Sequence, residues 1–76
     1  MKDNQILIEF GRNLNAERVR QALIKEDLAE KADISHDQAV GEIERGEVNT
    51  SLIKVIKILK ALHLKFETLY DIDKSK

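Results

Sequence analysis

Between Leu52 and Leu62 the apolar residues fall at Leu52, Val55, Ile56, Leu59 and Leu62, the spacing that lines one face of an α-helix. No proline interrupts this stretch or any other, and only Gly11, Gly41 and Gly46 supply glycine's backbone freedom. A chain so patterned is directed towards short helices joined by tight turns, and the remaining sequence agrees. Leu7, Phe10 and Leu14 predict a first helix over about residues 4–21, with Asp3 or Asn4 as its N-cap. "KEDLAEKA", with Leu28 and Ala32 apolar, predicts a short second helix over about 25–32. Ser35 and Gln38 stand at capping-box spacing and open a third helix over about 36–44, carrying Ala39, Val40 and Ile43 inward. Gly46 is suited to stop it, because glycine tolerates the left-handed conformation that follows a helix. "NTS" caps the fourth helix, whose Lys54, Lys57 and Lys60 ride the solvated side. "KFETLY" adds a last turn or two that packs Phe66 and Leu69 back, and "DIDKSK" has too few apolar residues to hold. No strand alternation, repeat or linker is visible. The expectation is an all-α, compact five-helix bundle. Residues 1–70 form one domain, 71–76 a frayed tail, and helices two and three, parted by "DIS", have helix-turn-helix spacing over about 25–44.

Size and composition narrow the function. Seventy-six residues make one domain at most, and a domain this small buries only about 60% of its chain surface. There is no cysteine to staple it, which fits a reducing compartment. No apolar run approaches the roughly 20 residues of a membrane span, and the N-terminus is unlike a signal peptide. A soluble cytoplasmic protein without membrane contact is expected. His36 and His63 are far apart and lack companion ligands, so no metal site is expected. No phosphate loop, nucleophile–base set or carboxylate cleft is suggested, so neither catalysis, a cofactor nor a small-molecule substrate is expected. Net charge is −1, so an affinity for nucleic acid must rest on local placement of charge.

Three stretches carry a resemblance. "AERVRQALIKEDLAEKADIS", "IERGEVNTSL" and "KILKALHLKFETLY" resemble the Cro/repressor, or Xre-type, helix-turn-helix family, over nearly all of residues 10–70. Controller proteins of restriction–modification systems and small phage repressors belong to that family. The resemblance implies a lambda-repressor-like fold and a regulator that binds double-stranded DNA as a homodimer on a two-fold operator. It also implies that Glu44 on helix three pairs with Arg18 on helix one. The chain departs from the family in five places. Ala22 and Ile24 stand where glycine and Ser or Thr are usual, and Asp33 stands where the turn usually has glycine. The segment from Ile34 to Val40 is one residue longer than usual, enough to rotate a helix face by about 100° unless the turn takes it up. Gly41 lies inside helix three, where glycine costs about 1 kcal/mol against alanine.

The candidate interface is correspondingly mixed in charge. Lys25 opens helix two, where a phosphate could be held. Ser35, His36, Asp37 and Gln38 open helix three, the end that usually meets base edges. Gln38 is suited to adenine, while Glu42 either accepts from cytosine N4 or is a solvated bystander. Arg45, Asn49, Thr50 and Ser51 line the loop into helix four as a second phosphate clamp. Asp37 suits the positive end of the helix-three dipole, Glu47 belongs to a polar loop, and Lys54, Lys57, Lys60 and Lys65 are read as a solvated face. Ile6, Ile8, Ile53, Ile58, Leu64 and Phe66 are apolar residues left over from the core stripes. Of these Ile53, Ile58, Leu64 and Phe66 are the expected dimer face. The acidic third helix keeps a second reading open, an antitoxin-like module whose partner is a protein.

Overall fold

The computed structural model describes residues 2–74. Among these residues five helices follow one another: α1 (Asp3–Arg20), α2 (Lys25–Lys31), α3 (Asp37–Glu44), α4 (Leu52–Leu62) and α5 (Phe66–Leu69). Leu14, Leu28, Val40, Ile58, Leu62 and Leu69 are its most deeply buried side chains, so every helix sends at least one residue to a shared centre. Phe10 and Tyr70 close that core, and the Phe10 and Phe66 rings meet at a tilt, 6.1 Å apart.

Helix ends explain how so short a chain turns so often. Helices α1 to α4 all close with the same pair of hydrogen bonds, one from the left-handed residue and one from its successor. Ala22 N donates to the Val19 carbonyl and Leu23 N to that of Arg18; Asp33 and Ile34, Gly46 and Glu47, and His63 and Leu64 repeat the pattern. The left-handed residues are Ala22, Asp33, Gly46 and His63, with φ of 60°, 56°, 71° and 58°. Glycine, the residue best suited to that conformation, stands at only one of them. Three of the four following residues, Leu23, Ile34 and Leu64, are apolar and pack on the core cluster.

Several helix starts differ from expectation. Lys2, not Asp3 or Asn4, is the N-cap of α1. The Ser35–Gln38 capping box does not form: His36, extended at φ −151°, is the N-cap of α3 and makes no side-chain cap. The surplus residue explains this. Ile34 is buried by the close of α2, and Val40 is buried by the core, so both anchors are fixed. Ser35 and His36 span the gap exposed. The turn absorbs the extra residue, and α3 keeps Val40, Ile43 and Glu44 inward. Ile24, at the start of α2, has no side-chain acceptor, but its backbone N donates to Asp27 Oδ2 at 3.2 Å. Ser51 does cap α4, accepting from Lys54 N.

Helix α4 lies rotated from its expected stripe. Ile58 is fully buried, whereas Leu52 and Ile56 are 72% and 44% exposed. The inner face is Val55, Ile58, Leu59 and Leu62. A helix with apolar residues on more than one face does not announce which face is inward. Here the neighbours decide: Gln21 Nε2 holds the Leu62 carbonyl at 2.9 Å, and Lys57 Nζ reaches the Asp33 carbonyl at 3.3 Å. Lys57 therefore does more than coat a solvated face; it also stands 3.6 Å from the Asp33 carboxylate, against the turn between α2 and α3. At the C-terminal end Asp71 Oδ1 accepts from Asp73 N and Lys74 N and closes a turn. The remainder of the expected tail, Ser75 and Lys76, lies outside the described residues.

Candidate nucleic-acid interface

The inner face of α3 is fixed by one buried polar cluster. Arg18 Nε donates to Glu44 Oε2 at 2.6 Å and Arg18 Nη2 to Glu44 Oε1 at 3.1 Å. Asn15 Nδ2 donates to the same Oε1 at 2.8 Å, and Arg18 Nη1 to the Leu23 carbonyl at 2.8 Å. The carboxylate is thus satisfied by two side chains of α1, while the guanidinium also ties down the turn into α2. Both residues are only 8% exposed, so the pair is desolvated and hydrogen-bonded as a buried charge must be. Gly11 lets α1 and α3 approach this closely, since a Cβ there would run into the carbonyl oxygens of Ile43 and Glu44. Sequence reasoning passed over Asn15 and Gly11. Asn15 lies one turn before Arg18 on the same face, a polar residue where the helix would otherwise be apolar, and that was the available signal.

With the inner face pinned, the outer face of α3 is determined. Lys25, Asp37, Gln38, Gly41, Glu42 and Arg45 line one polar groove of about 420 Å³ where α3 meets the start of α2. Gln38, Glu42 and Arg45 are exposed, and Asp37 is half-buried in the first turn of α3. Arg45 is not free: Nε donates to Glu47 Oε2 at 2.8 Å and Nη2 to Glu47 Oε1 at 3.1 Å. The pair raises the Arg45 pKa and holds the Glu47 carboxyl below its ordinary value, in each case chiefly through their hydrogen bond. Ser35 and His36 lie outside this groove, in a depression shared with Glu26, Glu30 and Asp37. The local charge is therefore neither a clean positive rim nor a wall of acids. Lys25 and Arg45 converge on Gly41 in the middle of α3, and the carboxylates Asp37 and Glu42 line the same groove.

The other expected clamp is placed differently. Asn49 and Thr50 stand against α1, lining with Ile6, Leu7 and Phe10 a separate apolar cavity of about 150 Å³. Thr50 Oγ1 is buried without a hydrogen-bond partner among the described residues. Ser51 is occupied as the α4 cap. Of the residues expected at the dimer face, Ile58 is withdrawn, because it is fully buried within its own chain. Ile53 and Phe66 are 67% and 40% exposed and Leu64 is half-buried.

A helix of seven residues, a tight turn and a second helix whose outer face stands open form the helix-turn-helix of DNA-binding transcriptional regulators. The family described as Helix-turn-helix matches residues 14–69, and the chain belongs to it. Among solved structures, the restriction-modification controller protein C.AhdI from Aeromonas hydrophila is similar, with 33% identity and a TM-score of 0.79. The likeness covers 84% of this chain and 96% of that one. No curated protein matches the chain.

Proposed function

We propose that this protein is a sequence-specific transcriptional regulator, a repressor or autoregulatory controller, that binds a two-fold operator as a homodimer in the cytoplasm, without catalysis. Residues 1–70 act as one DNA-binding domain. The observation that carries the reading is the geometry of α3, whose inner face is locked by Arg18 and Glu44 while Gln38, Glu42 and Arg45 stand outward beside Lys25. Helix α3 enters the major groove with its N-terminal end nearest the bases, Gln38 meets base edges, and Lys25 contacts phosphate. The likeness to a controller protein supports the regulatory role. Dimerisation is supported by Leu52, Ile53, Ile56 and Phe66, large apolar residues exposed on α4 and α5. So many exposed large apolar residues on so small a protein favour an interaction surface.

Selection of bound sequences from random duplexes at about 50 mM salt tests this. The expected result is an enriched two-fold site, bound by a species of twice the 8.7 kDa chain mass in sedimentation. Few phosphates are neutralised per subunit, so the salt slope should be shallow, about −4 to −6 for the dimer. The rival is an interaction module that keeps the fold without reading DNA. The acids Glu26, Glu30 and Asp37 around His36, and the engagement of Arg45 by Glu47, favour it. Failure of every duplex to bind, with the dimer intact, would decide for that rival.

A further inference from the structure

The chain has three glycines, and the fold requires two of them. A Cβ at Gly11 would strike the backbone of α3. Gly46 has φ +71°, and a Cβ there would come within 2.8 Å of the Ile8 backbone. Gly41 is different. It lies in the middle of α3, where glycine is disfavoured. The nearest atoms to a Cβ there are Arg45 Nη1 at 3.0 Å, Arg45 Cζ at 3.7 Å and Lys25 Cε at 3.7 Å, the far ends of flexible side chains. Packing does not explain this glycine. What it does is lower the floor of the polar groove on the outer face of α3, so that the Arg45 guanidinium lies down across the helix.

Glu42 and Arg45, three positions apart, are neighbours on that face. The carboxylate only accepts hydrogen bonds and the guanidinium only donates. In the major groove, cytosine offers the N4 amino donor and its partner guanine the O6 and N7 acceptors. We propose that Gly41 is a specificity-determining position: the notch it opens admits the edge of a C·G pair, with Glu42 accepting from cytosine N4 and Arg45 donating to guanine O6 and N7. The assignment rests on the DNA-binding reading above. Glu47 already holds Arg45 through two acceptor oxygens. Binding exchanges these for the two acceptors of guanine, so the arginine arrives with its fork turned to a paired acceptor. The Glu42 carboxylate then costs affinity at sites without cytosine, which makes it a discriminator rather than a source of general affinity.

The test is a titration of wild type, Gly41→Ala and Glu42→Gln against three duplexes: the selected site, that site with its C·G pair changed to T·A, and a scrambled duplex. The wild-type site is expected to fix one C·G pair per half-site. Gly41→Ala should bind the selected site about tenfold more weakly. It should bind the scrambled duplex as wild type does and melt roughly 4–8 °C higher, as alanine replaces glycine within a helix. Glu42→Gln should bind the selected site more weakly and narrow the preference for C·G over T·A, keeping only the part that Arg45 supplies at guanine. Selection without a fixed C·G pair overturns the inference. So does a Gly41→Ala protein that reads the site as wild type does, or one that melts lower, since packing would then account for the glycine. Tighter binding of Glu42→Gln to all three duplexes also overturns it. Wild type binding no duplex at all overturns the DNA-binding reading itself, which separates the two failures.

Discussion

Two arginine–glutamate pairs flank α3, alike in chemistry and opposite in consequence. Arg18 and Glu44 meet on the inner side with side chains 10% and 4% exposed, and Arg45 and Glu47 on the outer side at 55% and 53%. Each pair has an Nε contact backed by a second from the same guanidinium. The inner pair also has Asn15 and the Leu23 carbonyl, so every charged group there is committed to the protein. The outer pair stands in water and can exchange partners at little cost. Burial therefore decides which pair is architecture and which is available for recognition. The inner pair holds the register of α3, and the outer pair places a guanidinium on the surface that this register exposes.

The largest expected effect breaks the inner pair. Glu44→Ala leaves the Arg18 guanidinium buried without its carboxylate, and such losses cost about 3–5 kcal/mol. Urea denaturation followed by circular dichroism should show a midpoint near or below the start of the wild-type transition. A midpoint equal to that of wild type would mean that the pair is dispensable. The same inside–outside contrast holds on α4. Ile58→Ala should destabilise by about 2–5 kcal/mol, as a fully buried isoleucine does when truncated. Ile53→Asp should leave the helical spectrum intact and shift sedimentation to the 8.7 kDa species. Unchanged stability for Ile58→Ala would return that residue to the surface.

Smaller effects sharpen the comparison. Ala22 sits exposed at φ 60°, a conformation that strains a residue with a Cβ. Ala22→Gly should therefore stabilise by about 0.5–1 kcal/mol, after the greater entropy that glycine loses on folding. A fall in the thermal midpoint would place the αL assignment in error. The smallest stability effect is expected at the outer pair. Arg45 holds the Glu47 carboxyl below the usual glutamate range. A depressed carboxylate stabilises above its unfolded-state pKa, and that contribution is lost as pH falls through the folded value. In a pair so exposed it is screened by solvent and salt. Melting curves of Glu47→Gln and wild type should superimpose at neutral pH. Binding should change instead: Arg45 no longer has to give up Glu47 to reach guanine, so the selected site should be bound more tightly. The salt slope should stay as in wild type, since no phosphate contact is added. Unchanged affinity for the selected site would show that Glu47 does not restrain Arg45.

Much of the fold was legible in sequence because helical periodicity is local. The existence, order and approximate bounds of all five helices follow from apolar spacing, and residues 14–69 carry the family pattern. Gly46 and Ser51 were readable as helix punctuation for the same reason: a stop and a cap act on their own backbone. The positions of Arg18 and Glu44 were legible only through the family resemblance, since nothing local in either residue says that the other is near.

What the tertiary structure alone decided is orientation and commitment. Three of the four left-handed helix ends lack glycine, because Leu23, Ile34 and Leu64 pack on the core and hold Ala22, Asp33 and His63 in place. Which face of α4 turns inward, and so whether Ile58 or Ile56 is covered, depends on α2 packing against it and on its bonds to Gln21 and Asp33, the residues that follow α1 and α2. Whether an extra residue rotates α3 or lengthens the turn was settled by the fixed anchors Ile34 and Val40. Periodicity specifies that a helix forms and which residues share a side. Only close packing against the other helices, acting through contacts distant in sequence, specifies which side is buried and which charge is left for a partner.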